Sequence, residues 1–159
     1  LRPREERGCL FVEMRFDKSG TKTAHRFGRG IMRSFARLTY EAVQQAHDSG
    51  TDPEGVPNGQ IATLYGAFRA LLAARERRGT LDLDVPERRV ILDAKGKVQA
   101  VIPRTRLDSH RLIEEFMVAA NVCAAEELER LAQPCMYRVH DRPSNEKLEG
   151  LRQFLDTLG

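Results

Sequence analysis

The stretch "LDSHRLIEEFMVAANVCAAEELERL", residues 107–131, has the pattern of a long and largely buried α-helix. Its apolar residues recur at offsets of three and four, as on one side of a helix. They are Leu112, Ile113, Phe116, Met117, Ala120, Cys123 and Ala124. A narrow stripe of His110, Glu114, Val118 and Asn121 runs beside them, because residues four and seven apart share a helix face.

This stripe has two interpretations. It faces a cavity, where Glu114 meets a ligand or a metal-bound water, or it is the solvated edge of an amphipathic helix. The neighbouring Glu115 points elsewhere on the helix and is four residues from Arg111. That spacing predicts a surface ion pair between Glu115 and Arg111.

The remaining chain mixes strands and helices without a regular βαβ alternation, which predicts an α+β fold. In chain order we predict strands over 8–17 and 23–31, a helix within 34–47, a helix over 60–78, a hairpin over 88–103, a short strand over 135–140 and a final helix after Ser144. Ser34 and Thr39 both fit as N-cap of the first helix, and Gly79 fits as C-cap of the second.

Length and composition suit one soluble domain, with 159 residues, 41 % hydrophobic and 31 % charged. The sequence has no apolar run of membrane-spanning length, and the opening "LRPREERG" does not have the pattern of a signal peptide. Because the chain begins with Leu1, we expect it to be a piece of a longer protein.

Three cysteines, Cys9, Cys123 and Cys135, lack the spacing of a zinc site or a disulfide framework. A reducing, cytoplasmic location fits this pattern. On the apolar helix, Cys123 is expected to be a buried free thiol.

A basic stretch between Met14 and Tyr40 points to nucleic acid. Aromatic residues are interleaved with seven basic residues and one acid, and this combination suits single-stranded nucleic acid. The basic residues are Arg15, Lys18, Lys22, Arg26, Arg29, Arg33 and Arg37. Arg33 and Arg37 would lie one turn apart, over two adjacent phosphates, if the helix begins by Ser34. The alternative is that these residues form a charged exterior face without a ligand. The preference for arginine over lysine would also follow from a GC-rich genome.

Two further candidates are weaker. Asp82 and Asp84 share a face if they lie on a strand, but two carboxylates are too few ligands for a metal. His140 precedes a turn and is read as structural. The sequence contains no phosphate-binding glycine loop and no GxSxG or HExxH motif.

Four stretches together resemble one family. They are "IMRSFARLTYEAV", "ARERRGTLDLDVPERRVILDAKGKV", "RLDSHRLIEEFMVAANVCAAEELE" and "PCMYRVHDRPSNEKLEGLRQFL". In order and content they resemble the catalytic (RNB) domain of the ribonuclease II and ribonuclease R exoribonucleases, with the ribonuclease R branch nearer. The resemblance extends over essentially the whole chain.

The resemblance implies processive degradation of single-stranded RNA from its 3′ end, releasing nucleoside 5′-monophosphates. It implies a narrow RNA channel, flanking OB-type domains, and an aspartate cluster that holds a divalent metal, usually Mg²⁺. The family's aspartate loop lies upstream of residue 1, and an arginine motif lies past Gly159. We therefore expect the native protein to be an exoribonuclease, and this piece alone to be inactive, to hold no metal and to self-associate through uncovered apolar surface.

The resemblance also suggests roles for residues. Tyr40 matches a tyrosine beside the 3′-terminal nucleotides, and Glu114 matches a glutamate near the terminal nucleotide and the metal. Asn121 and His110 follow as supporting donors. Leu83 stands where some members have a phenylalanine that stacks on bases, so contact there would be apolar only.

Two alternatives to an enzyme remain open at this point. One is a non-catalytic RNA-binding or scaffold protein that kept the fold, and the other is an interaction module without an RNA role. An intact upstream aspartate cluster would favour the enzyme over the non-catalytic RNA-binding or scaffold protein. If the chain is an interaction module without an RNA role, charge reversal at Arg33 and Arg37 would leave RNA affinity unchanged.

Overall fold

The structure is a computed structural model that describes residues 2–81, 88–103 and 105–158, with only the backbone of Arg89. Two units, Leu1–Glu127 and Leu128–Gly159, make up the chain. The elements are β1 (Glu6–Phe16), β2 (Lys22–Arg33), α1 (Tyr40–Ser49), α2 (Gln60–Arg77), β3 (Arg88–Leu92), β4 (Val98–Pro103), α3 (Asp108–Arg130) and α4 (Asn145–Asp156). The predicted α+β class is confirmed.

The strands form two separate antiparallel hairpins, β1 with β2 and β3 with β4. The turn of the first hairpin packs on α2 through Gly20, which has a φ of +77° and is buried. A Cβ atom at Gly20 would lie only 2.0 Å from the carbonyl oxygen of Ala70, so both the backbone conformation and the close approach require glycine.

Of the two predicted N-caps of the first helix, Ser34 and Thr39, the structure has the later one. Thr39 is the N-cap, and its hydroxyl accepts a hydrogen bond from the Ala42 N–H at 3.2 Å. Ser34 does not cap a helix, because its hydroxyl donates to the Ala36 carbonyl in the segment that follows β2.

This start corrects the predicted arginine spacing. Arg33 is the last residue of β2, and Arg37 lies in the connection before α1. The two side chains are therefore not one helical turn apart, so the condition for the predicted contact with two adjacent phosphates is not met.

The core lies where α1, α2 and α3 meet. Its buried members are Ala46, Ile61, Tyr65, Phe68 and Leu112. The start of α2 is fixed by Asp52, whose carboxylate accepts the N–H groups of Gly59 at 2.6 Å and Ile61 at 3.1 Å. These bonds satisfy backbone donors that a helix start leaves without partners.

Other predictions of secondary structure were mostly confirmed. Helices stand at 60–77, 108–130 and 145–156, and the Ser144 hydroxyl accepts the Lys147 N–H. Gly79 lies just beyond the end of α2 with a φ of +69°, while Arg78 is the C-cap. Residues 135–140 do not form the predicted strand. No helix within the described ranges is both long and apolar enough to cross a membrane.

Candidate functional site

A cleft of about 260 Å³ opens between the start of α1 and the first turns of α3. It is lined by Tyr40, Thr105, Arg106, His110, Ile113, Glu114 and Met117. Tyr40 and Glu114, which the resemblance singled out from distant parts of the sequence, thus line the same cleft.

Two rings form one wall of the cleft. The phenol of Tyr40 stacks on the imidazole of His110, with 4.2 Å between centroids and 21° between planes. Tyr40 is 41 % exposed and lines the cleft, so its neighbours do not cover it completely. The His110 ring is held by its Nδ1, which accepts a hydrogen bond from the Leu107 N–H at 3.1 Å.

Charge in the cleft comes from an ion pair that the sequence did not reveal. Arg106 donates to the carboxylate of Glu114, and the two side chains are 35 % and 47 % exposed. Arg106 lies in the short segment between β4 and α3, where no helical periodicity connects it with Glu114. The pair places one cation and one carboxylate within reach of a ligand.

The neighbouring residue, Glu115, is buried, whereas the local spacing predicted a surface ion pair. It is buried on the core side of α3, where its carboxylate accepts a hydrogen bond from Arg75 of α2 at 2.6 Å. Arg111 pairs instead with Asp108 at 3.2 Å. The predicted surface pair of Glu115 and Arg111 was therefore wrong.

Gln44 of α1 forms hydrogen bonds with both α2 and α3. Its side-chain oxygen accepts hydrogen bonds from the Tyr65 hydroxyl and from the Ser109 N–H, both at 3.1 Å. The second bond satisfies a backbone donor in the first turn of α3. Gln44 thereby fixes the start of α3 relative to α1, the two helices that carry the cleft rings.

The apolar side of α3 is narrower than the sequence predicted. Leu112 and Cys123 are buried, but Ile113 and Met117 are 39 % and 59 % exposed. Both exposed residues line the cleft. They give it an apolar surface beside the Arg106–Glu114 pair.

The structure does not bring the other predicted site residues into the cleft. Asn121 is exposed further along α3, and Arg33 and Arg37 are exposed outside the cleft lining. Leu83, Asp82 and Asp84 lie outside the described residues.

The basic stretch is partly neutralised within the fold. Glu13 pairs with Arg26 across the first hairpin and with Arg15 on its own strand, and the hydrogen bond from Arg26 lowers the pKa of Glu13. Lys22 pairs with Glu126 of α3. Within the described ranges, four basic side chains of the stretch make no ion pair, namely Lys18, Arg29, Arg33 and Arg37.

The part of the chain that the structure describes contains no cluster of metal ligands. No three His, Cys, Asp or Glu side chains converge among those residues. Glu114 is the carboxylate that lines the cleft, and it is already paired with Arg106. The described residues therefore do not fit a divalent metal site by themselves.

Comparisons with known proteins identify the family. Residues 1–158 match the RNB domain. Across its whole length the chain is 40 % identical to ribonuclease R of Aquifex aeolicus, of which it spans 23 %. It is likewise 33 % identical to ribonuclease R of Escherichia coli, of which it spans 20 %.

Among solved structures, the RNase R of Mycoplasma genitalium in complex with ribose methylated single-stranded RNA has the same fold. The TM-score is 0.91 at 24 % identity, over 99 % of this chain and 25 % of that one. The chain thus spans about a fifth to a quarter of the length of these relatives. It belongs to the RNB domain family.

Proposed function

We propose that this chain is the central part of the catalytic domain of a longer, processive 3′→5′ exoribonuclease, and that the cleft between α1 and α3 receives the 3′ end of single-stranded RNA. The observation that carries the proposal is the placement of Tyr40 and Glu114 in one cleft. Their roles come from the family resemblance, and their proximity is a separate observation from the folded structure.

The chemistry of the cleft suits a nucleotide. An aromatic ring such as that of Tyr40 can stack on a base, and such stacking is worth about 1–3 kcal/mol per base. Arg106 offers a guanidinium to a phosphate. Glu114 can accept hydrogen bonds from ribose hydroxyls, a feature of RNA that DNA lacks at the 2′ position.

The described residues are proposed to bind and orient the RNA. In the longer protein, Mg²⁺ would supply an activated water for hydrolysis. The ligands for it would have to come chiefly from residues outside the described ranges, since these bring no metal cluster together. We accordingly propose that the chain alone does not hydrolyse RNA.

The first hairpin and the segment between β2 and α1 offer a second surface for the RNA. Exposed Arg29, Arg33 and Arg37 are without ion pairs in the part of the chain that the structure describes, so they are available to neutralise phosphates. Any such contact would weaken with rising salt concentration, because phosphate binding releases counterions.

The test compares the chain with the full-length protein that contains it. Each is incubated with 5′-labelled single-stranded RNA and Mg²⁺, and products are resolved on a sequencing gel. We expect a progressive 3′-end ladder from the full-length protein, its loss with EDTA, and no shortening by the chain alone. Binding without shortening by the full-length protein would favour the non-catalytic alternative, and absence of both would refute an RNA function.

Variants then test the cleft in the full-length protein. Tyr40→Ala and Glu114→Gln should each lower the rate of degradation. Tyr137→Ala and Glu149→Gln are matched controls, since Tyr137 is exposed and Glu149 forms an exposed ion pair with Arg152. Equal activity of the cleft variants and the controls would contradict the assignment of the cleft.

A further inference from the structure

The stack of Tyr40 on His110 joins the first turns of two helices. Tyr40 is the first residue of α1, and His110 lies in the first turn of α3. One face of the phenol ring is covered by the imidazole at 4.2 Å. Any base that stacks on Tyr40 without displacing His110 must therefore use the opposite face.

The His110 ring is itself locked by the helix start. The Leu107 carbonyl accepts the N–H groups of His110 at 3.1 Å and Arg111 at 3.3 Å, so Leu107 is the N-cap of α3 and His110 its third residue. Nδ1 of His110 reaches back to accept the Leu107 N–H. A glutamate or glutamine side chain makes this reverse bond in a capping box, and here an imidazole makes it.

The hydrogen bond fixes more than the orientation of the ring. An imidazole whose Nδ1 accepts a hydrogen bond presents its other nitrogen, Nε2, away from that bond. A contact one turn further along α1 reinforces the arrangement, since Gln44 accepts the Ser109 N–H. The same two helices thus hold each other at Tyr40 with His110 and at Gln44 with Ser109.

We propose that His110 is a positioning residue that acts through Tyr40. Its stacked and capped ring holds the phenol in one orientation and leaves the opposite face as the docking surface for the 3′-terminal base. This inference rests on the proposed function of the cleft. A Tyr40 ring that is already fixed lowers the entropic cost of ordering the terminal nucleotide. Small misplacements of a reacting group reduce the rate strongly.

Two substitutions separate the stacking of His110 from its capping bond. In His110→Asn the side-chain oxygen can still accept the Leu107 N–H, but the ring is gone. In His110→Phe the ring is kept and the acceptor is gone. Both are made in the full-length protein and compared with wild type and Tyr40→Ala, with thermal unfolding as the control for folding.

We expect His110→Asn to lower kcat/KM about tenfold while Tm stays near the wild-type value. His110→Phe should recover most of this loss when assayed below its own Tm. The double variant Tyr40→Ala/His110→Asn should be no slower than Tyr40→Ala, because a residue that acts through another shows no additional effect once that residue is removed.

A second assay compares kcat/KM on RNA with a normal 3′-terminal nucleotide and on RNA with an abasic one. Loss of a residue that only stabilises the fold would not change the ratio of these two values. Wild type should prefer the substrate with a terminal base, and this preference should fall to the same extent in His110→Asn and Tyr40→Ala. Wild-type kinetics in His110→Asn, or losses that add in the double variant, would overturn the positioning role. Wild-type kinetics in Tyr40→Ala would instead overturn the proposed function of the cleft.

Discussion

Two faces of α3 carry adjacent glutamates with opposite environments. On the core face, Glu115 is 7 % exposed at its side chain and binds Arg75. On the cleft face, Glu114 is 47 % exposed and pairs with Arg106 at the edge of a cavity. Glu115 therefore joins two helices through an ion pair, whereas Glu114, one position earlier, binds a ligand in our proposal.

The largest expected effect on stability comes from the core face. Glu115→Ala removes a carboxylate that Arg75 contacts in a mostly buried setting, where breaking an ion pair costs about 3–5 kcal/mol. Thermal or urea unfolding of the full-length protein and the variant measures the change. A loss below about 1 kcal/mol, the usual range of exposed pairs, would contradict the distinction between the two faces.

On the cleft face, Glu114→Gln should change activity and leave stability almost unaltered. An exposed ion pair contributes about 0–1 kcal/mol, whereas a lost hydrogen bond between a charged group and RNA is worth about 1.5–3 kcal/mol. We expect degradation to slow by about 10- to 100-fold. The kinetics and the Tm of this variant are measured together, and a large drop in Tm would show that Glu114 is structural.

The helix caps extend the comparison at a smaller scale. Thr39→Ala removes the cap next to Tyr40 and should cost about 1 kcal/mol, together with a measurable loss of activity as the ring loses its fixed position. Ser144→Ala removes the cap of α4, which buries no residue, and serves as the control. If both substitutions lowered activity equally, the cap at Thr39 would have no special connection to the cleft.

The smallest expected effect lies on the first hairpin and depends on pH. The hydrogen bond from Arg26, assisted by its charge, lowers the pKa of Glu13 below its ordinary value of 4.5. The stabilisation is therefore present above the unfolded pKa and is lost as the pH falls through the folded pKa. The difference in Tm between wild type and Glu13→Gln should be small at neutral pH and vanish in acid, and a difference that grows in acid would contradict this sign.

The sequence predicted local features well and long-range ones poorly. The limits of α2 and α3 followed from apolar periodicity, and Thr39 was one of two caps that composition allowed. Residues 135–140 have strand-forming side chains but do not form a strand, because strand propensity is realised only through pairing.

The site shows the same limit. The resemblance singled out Tyr40 and Glu114, but their shared cleft depends on how α1 packs beside α3. The helix spacing rule chose Arg111 as the partner of Glu115, whereas the observed partner is Arg75 on another helix. Arg106 has no periodic relation to Glu114, so only the folded chain reveals it.

The most direct test of the cleft maps the position of the RNA end. An RNA with 4-thiouridine at its 3′ terminus is bound to the full-length protein under conditions that block hydrolysis, irradiated, and the crosslinked peptides are identified by mass spectrometry. We predict crosslinks to peptides that contain Tyr40 or the α3 residues from His110 to Met117. Crosslinks confined to other parts of the protein, with none to these peptides, would contradict the account.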